Sequence, residues 1–312
     1  MTETLWTLAF DHRNSLRRAF FGITGEATAS DHQRARDAKS LIFDGVVNAI
    51  ELGIPIGHPA VLVDEEYGAD VIARANELGI PTAVPVEASG QAVLQFEHGD
   101  DGFGDALERV DPTYAKVLVR YNPDGDPEEN RLQRDRLASL QRWVSDHGRQ
   151  WMLELLVPAT PEQTNQCGGD ADVYDERLRP DLTVRASAEL ADSGLTPDLW
   201  KIEGMATTHE YAAIAAACRA DGITSGCLVL GRGADEDAVD RWLSLAAPVP
   251  GFVGFAVGRT LWWQPLRDAL EGVCGRDEAV SRIAQNYRRL IGVYRAAQGG
   301  RTIDTGGAGL LT

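Results

Sequence analysis

The sequence predicts an α/β fold, a (β/α)8 TIM barrel with extra C-terminal helices. Three observations carry that prediction: eight short apolar runs, helix-patterned stretches between them, and no composition break along 312 residues. The runs are LWTLAF (5–10), AVLVD (60–64), TAVPVEA (82–88), YAKVLVRY (114–121), WMLELLV (151–157), LWKIE (199–203), GCLVLG (226–231) and GFVGFAVG (251–258). Several are apolar on both faces, as parallel strands covered by helices must be. Alternation of strand and helix is the pattern of a closed parallel barrel.

The intervening stretches DAKSLIFDGVVNAIELG (37–53), ADVIARANELG (69–79), ENRLQRDRLASLQRWVSDHG (129–148) and HEYAAIAAACRADG (209–222) each end at glycine, a usual helix stop. The unit between the third and fourth strands is weakest, because 89–113 gives only a short, broken helical pattern. Two further helices are expected after the eighth strand, near 264–273 and 277–297. The chain is expected to be one barrel over 1–298 with a flexible, glycine-rich tail at 299–312.

A net charge of −17 argues against nucleic acid, since phosphate backbones need clustered Lys and Arg. The same charge disfavours anionic membranes, and no run reaches the roughly 18 apolar residues of a membrane span. The opening MTETLWTLAFDHR lacks the basic flank and long apolar run of a signal peptide. The four cysteines, Cys167, Cys218, Cys227 and Cys274, form no CxxC. A cytoplasmic protein with reduced thiols is the expectation. No carboxylate–histidine set has metal-ligand spacing, and no GxSxG elbow or P-loop is present, so neither a metal nor a cofactor is expected.

Strand parity places the charges. Side chains alternate across a strand, and in barrels the chemistry sits at strand C-termini. Lys201 and Glu203 share a face with Leu199, while Lys116 and Arg120 share one with Leu118. Asp11 falls opposite Trp6, Leu8 and Phe10; Asp64 opposite Val61 and Val63; Glu87 opposite Val84 and Val86; Glu154 opposite Leu153 and Leu155. Six strands thus aim charge into one interior. Buried charge costs several kcal/mol per ion unless paired, so the set predicts a polar reaction chamber rather than a packed core.

Lysine usage sharpens the prediction. Only Lys39, Lys116 and Lys201 are lysines among 30 basic residues. Lys39 lies in a helix pattern and is expected to face solvent. The other two sit in apolar strands, where arginine would serve equally as a cation. Lysine alone offers an amine that loses its proton when desolvated or placed beside another cation. A neutral amine attacks a ketone, and the resulting iminium accepts electrons in C–C cleavage.

Two glycine–arginine pairs follow strands seven and eight, where this fold usually binds phosphate: Gly231–Arg232 and Gly258–Arg259. Glycine admits an anion to the backbone N–H groups, and arginine adds a fork of donors. His12, at the end of the first strand, is either a proton shuttle or a loop cap. His58 precedes the second strand and is expected to be structural.

LAFDHR, VDEEYG, VPVEASGQ, AKVLVRYNPDGD, LELLVP, WKIEG and FAVGRTLWWQPLRD occur in that order over residues 5–297. Together they resemble the aldolase domain assigned to 2-deoxy-5-keto-gluconate 6-phosphate in myo-inositol catabolism, often fused behind a sugar kinase. More distantly they are similar to class I tagatose-bisphosphate aldolase. The resemblance implies that Lys201 is the Schiff-base nucleophile, Lys116 its neighbouring cation, Glu154 the proton-transfer group and Asp11 an orienting carboxylate. It implies that Gly258 and Arg259 hold a phosphate. Arg120 and Asn122 depart from it, standing where less cationic residues are expected.

The expected reaction is Schiff-base cleavage of a phosphorylated keto sugar acid to dihydroxyacetone phosphate and malonate semialdehyde. Arg120 and Arg13 are the alternatives for the substrate carboxylate, with Asp64, Glu87, Glu203, Gly231 and Arg232 completing the expected binding set. Rival readings are an aldolase for tagatose bisphosphate or a sulfonated sugar phosphate, and a sugar-phosphate-sensing regulator without turnover. The oligomeric state stays open, with Trp262, Trp263 and the extra helices as the candidate homo-oligomer surface.

Overall fold

Eight parallel strands close into a ring in chain order, β1 pairing with both β2 and β8. The computed structural model describes residues 4–23, 25, 27–219 and 225–299. The strands are β1 (Leu5–Ala9), β2 (Pro59–Leu62), β3 (Thr82–Pro85), β4 (Tyr114–Arg120), β5 (Gln150–Leu156), β6 (Leu199–Ile202), β7 (Gly226–Leu230) and β8 (Phe252–Val257). The barrel read from the sequence is therefore the barrel observed.

Strand parity sorts the core into two apolar groups. Leu5, Ala9, Leu62, Ala83, Met152, Leu199, Leu228 and Ala256 fill the barrel interior. Trp6, Leu8, Val61, Val117, Leu153, Trp200, Val229 and Phe255 face the surrounding helices. Small and aliphatic side chains thus plug the interior below, and the charged layer begins where they stop.

The helices are α1 (Asn14–Phe21), α2 (Ala29–Glu51), α3 (Glu65–Glu77), α4 (Phe103–Val110), α5 (Pro127–Asp146), α6 (Pro161–Gln166), α7 (Ala171–Arg177), α8 (Arg179–Asp192), α9 (Thr208–Ala217), α10 (Glu236–Ala246), α11 (Arg259–Leu270) and α12 (Arg276–Ala297). Their starts follow local chemistry. Thr28 with Asp31, Thr160 with Gln163 and Thr207 with Glu210 form capping boxes, and Asp126 caps α5 ahead of Pro127.

Between β3 and β4 the weak pattern resolves into a hairpin-like loop, with Ala88 N–H donating to Gln95 O and Glu97 N–H to Val86 O, followed by the eight-residue α4. The α6–α7 pair is an insertion between β5 and β6. After β8, α11 begins already at Arg259, earlier than the sequence pattern suggested. α12 packs on α2 and reaches the barrel, where Tyr287 donates to Trp6 O and Tyr294 to Phe252 O at 3.1 Å.

Two expectations are corrected. Lys39 is fully buried, not solvent-facing: α2 turns it toward the barrel, where it pairs with Asp64 and donates to His12 O at 3.0 Å. Trp262 is also fully buried, its Nε1 donating to Ala9 O at 2.9 Å and its ring against His12, Phe20 and Trp263, so it offers no surface for a second subunit. The tail expected at 299–312 lies outside the described residues except for Gly299, as does the glycine expected to stop α9, Gly222. Among the described residues no helix is long and apolar enough to cross a membrane.

Candidate active site

The C-terminal mouth of the barrel holds a cavity of about 640 Å³, lined from every side by charged side chains. Inward-facing residues near the strand ends build its floor. Lys116 from mid-β4 makes three ion pairs, to Glu87 at 2.5 Å, Glu154 at 2.9 Å and Asp11 at 3.2 Å. Glu154 uses its other oxygen to meet Lys201 Nζ at 2.8 Å. Lys201 and Leu118 both sit in register with Glu154, so β4, β5 and β6 place the group side by side.

The electrostatics follow from burial and pairing. Burial alone would lower the Lys116 ammonium, but Glu154, Glu87 and Asp11 overcome it and hold its pKa well above the ordinary lysine value. Burial would raise the Asp11 and Glu154 carboxyls, and Lys116 and Lys201 outweigh it, keeping both below the usual carboxylate range. Glu87 goes the other way: burial pushes it up, and Lys116 offsets only part of that. The site therefore holds a lysine enclosed by three carboxylates and a second lysine, Lys201, that shares Glu154 with it.

His12 lines the cavity beside Asp11, its Nδ1 3.9 Å from the Asp11 carboxylate and without a hydrogen-bond partner. Burial, opposed by Asp11 but helped by Lys39 and Arg259, lowers its pKa to about 4. The ring is neutral at physiological pH. His58 is structural, its Nδ1 on Thr4 O at 3.0 Å and its ring against Trp6.

The β7 and β8 loops supply a cation on the opposite wall. Arg259 opens α11 and rests on Arg232 O through Nη2 at 2.7 Å. Gly233 makes room for it: a Cβ there would stand 2.4 Å from the guanidinium carbon, and its φ of 76° suits glycine. Gly258 is equally constrained, since a Cβ would come within 2.2 Å of Ala9 O. Gly231 lines the same wall. Arg232, in the left-handed region at φ 49°, bridges Asp175 and Glu203, the latter at 3.1 Å.

Other expected residues fall into distinct places. Glu203 lines the cavity but is committed to Arg232 and to Val157 N–H at 3.2 Å; burial raises its pKa. Arg120 lines the mouth from the end of β4. Asp64 does not line the cavity: it caps α3 by accepting from Tyr67 N–H at 2.9 Å and pairs with Lys39, so its expected role against substrate gives way to a structural one.

Sequence reading missed Arg179, Asp175 and Tyr174, which reach the cavity from α7 and α8. Arg179 is 4% exposed, with Nε on Asp175 at 2.9 Å and Nη2 donating to Gly204 O at 3.0 Å. They lie on α7 and α8, where no strand parity points to them. Among the described residues, no three of His, Cys, Asp and Glu converge as metal ligands would.

Comparison with solved structures finds the same fold in several proteins. Fructose-bisphosphate aldolase from Plasmodium falciparum aligns over 96% of this chain and 91% of its own at a TM-score of 0.62 and 15% identity. A protein from Corynebacterium glutamicum covers 92% of this chain and 85% of its own, at 0.56 and 18%. An archaeal fructose-1,6-bisphosphate aldolase, solved with its catalytic lysine covalently bound to the carbinolamine intermediate of its substrate, covers 91% and 94%, at 0.54 and 14%. At these identities the likeness is one of fold, the (β/α)8 barrel. No curated protein sequence matches. Residues 1–298 match the family described as "Uncharacterized protein conserved in bacteria (DUF2090)", and the chain belongs to it.

Proposed function

We propose that the protein is a class I aldolase that cleaves a phosphorylated keto sugar acid through a Schiff base on Lys201. The carrying observation is the arrangement of Lys201, Glu154 and Lys116 on the floor of a cavity at the strand C-termini. The shared fold with an aldolase trapped as a lysine carbinolamine supports the reading. Within that class, the sequence resemblance favours 2-deoxy-5-keto-gluconate 6-phosphate, giving dihydroxyacetone phosphate and malonate semialdehyde.

Attack on a ketone requires the unprotonated amine, and Glu154, 2.8 Å from Lys201 Nζ, is within reach of its proton. The carbinolamine then loses water to give an iminium. Glu154 takes the proton of the hydroxyl β to the iminium carbon. The cleaving C–C bond releases its electron pair to the iminium nitrogen, forming an enamine and the aldehyde. Protonation of the enamine carbon and hydrolysis of the iminium free the ketone and restore Lys201. Lys116 keeps its proton throughout, holding Asp11 ionised and favouring return of Glu154 to its carboxylate form after each proton transfer. Arg259 and the α11 N-terminus take the phosphate.

Borohydride reduction with dihydroxyacetone phosphate, followed by peptide mass mapping, tests the proposal. A reduced adduct on Lys201 is expected. An adduct on Lys116 would exchange the roles of the two lysines, and folded protein with no adduct would overturn the Schiff-base reading.

A further inference from the structure

Five arginines line the cavity. Three are already neutralised: Arg13 by Glu97 at 3.0 Å, Arg179 by Asp175 at 2.9 Å and Arg232 by Asp175 and Glu203. Arg120 and Arg259 have no acidic partner among the described residues. Each is instead held by one nitrogen on a backbone carbonyl, Arg120 Nη1 on Gln91 O at 2.8 Å and Arg259 Nη2 on Arg232 O at 2.7 Å. Arg120 ends β4 and Arg259 follows β8, half a turn of the ring apart, and β6 with Lys201 lies midway between them. In a chain of net charge −17, two uncompensated guanidinium groups facing one cavity from opposite walls call for an anion at each.

Arg120 is built in rather than loosely placed. The Gln133 side chain, 2% exposed, accepts from Leu94 N–H at 3.1 Å and donates to Arg120 O at 2.9 Å, tying the loop that carries Gln91 to the end of β4. With Nη1 occupied, Nε–H and Nη2–H remain parallel on one edge, the geometry that accepts both oxygens of a carboxylate. Arg13 lacks that freedom, since Nη1 meets Glu97 and Nη2 donates to Glu87 O at 2.8 Å.

We infer that Arg120 is the specificity residue for a carboxylate at the end of the substrate remote from the phosphate, so that the site takes open-chain sugar derivatives acidic at both ends. This rests on the aldolase reading for its chemistry, but its recognition step is measurable without turnover. Calorimetric titration with 6-phosphogluconate, which carries phosphate and carboxylate at opposite ends and no ketone, is compared with glucitol 6-phosphate, which lacks the carboxylate. Wild type is expected to prefer 6-phosphogluconate by about tenfold or more, and Arg120→Met to lose that preference. Arg259→Met is expected to weaken both ligands alike, which shows that the effect is local to Arg120. Equal binding of the two ligands by wild type, or a preference that survives in Arg120→Met, overturns the assignment. Tighter binding of glucitol 1,6-bisphosphate than of 6-phosphogluconate overturns it in favour of a second phosphate. Borohydride trapping on Lys201 reads the aldolase proposal separately, so either can fail alone.

Discussion

Lys116 and Lys201 divide one carboxylate between them: Glu154 places one oxygen 2.9 Å from Lys116 and the other 2.8 Å from Lys201. The first lysine is boxed in by three carboxylates, whereas among the described residues Glu154 alone pairs with the second. That asymmetry distinguishes a lysine enclosed by carboxylates on β4 from one resting on a single carboxylate on β6, with β5 and its Glu154 between them.

Removing Glu154 tests the proton-transfer role. Glu154→Gln keeps the shape and loses the base, and kcat is expected to fall by about 10²–10⁴-fold. Because Lys116 and Lys201 hold the carboxyl below the ordinary range, the acid limb of wild-type kcat/KM is expected below pH 4.5, the usual glutamate value. A limb at higher pH would assign the essential base elsewhere.

Lys116 is expected to matter for stability as well as turnover. Lys116→Met leaves Asp11, Glu87 and Glu154 crowded without their cation and is expected to destabilise the fold by about 3–5 kcal/mol in urea unfolding. Lys116→Met combined with Glu87→Gln is expected to recover part of that loss.

His12 gives a pH signature. Its folded pKa is lowered from 6.5 to about 4, chiefly by burial, so the unfolded chain binds a proton first as pH falls. Above pH 6.5 both states are neutral and its contribution is intact. Between 6.5 and 4 it is lost, by about 3 kcal/mol in total. Unfolding free energies measured across this window are expected to slope less steeply in His12→Gln. An unchanged slope would show that the ring is not held neutral.

The Lys39–Asp64 pair calls for a double-mutant cycle. Either Lys39→Met or Asp64→Asn alone is expected to cost about 3–5 kcal/mol, because each strands a buried charge, while the double variant is expected to cost much less than the sum. Additive losses would mean that the two side chains act independently.

Gly233→Ala probes the phosphate side. The added Cβ meets the Arg259 guanidinium and sits at positive φ, so KM for a phosphorylated substrate is expected to rise about tenfold. A stability loss of about 1 kcal/mol is expected alongside it. Wild-type KM in this variant would remove Arg259 from phosphate binding.

Much of this was legible because β-strands carry a period of two. Once Trp200 and Ile202 are outward, Lys201 is inward, and the same parity places Lys116, Arg120 and Glu154. Strand ends were harder. Asp11, Asp64 and Glu87 all lie beyond the ends of their strands; Asp11 and Glu87 still reach the cavity, whereas Asp64 leaves it to cap α3. Lys39 carried a signal that polarity masked: it falls in helical register with Ala35, Ile42 and Val46, all buried. Arg179, Asp175 and Tyr174 gave none, because they reach the mouth from α7 and the start of α8, outside the strand alternation.

The pairing of β8 with β1 has a consequence for the chain during its synthesis. Every residue proposed to act on substrate is translated by Arg259, yet the ring cannot shut until β8 has emerged. The tyrosines that fasten β1 and β8 to α12 come later still, at Tyr287 and Tyr294. A nascent polypeptide therefore carries both lysines long before they share a carboxylate, and ribosome-tethered chains stalled short of α12 would be chemically silent toward ketones.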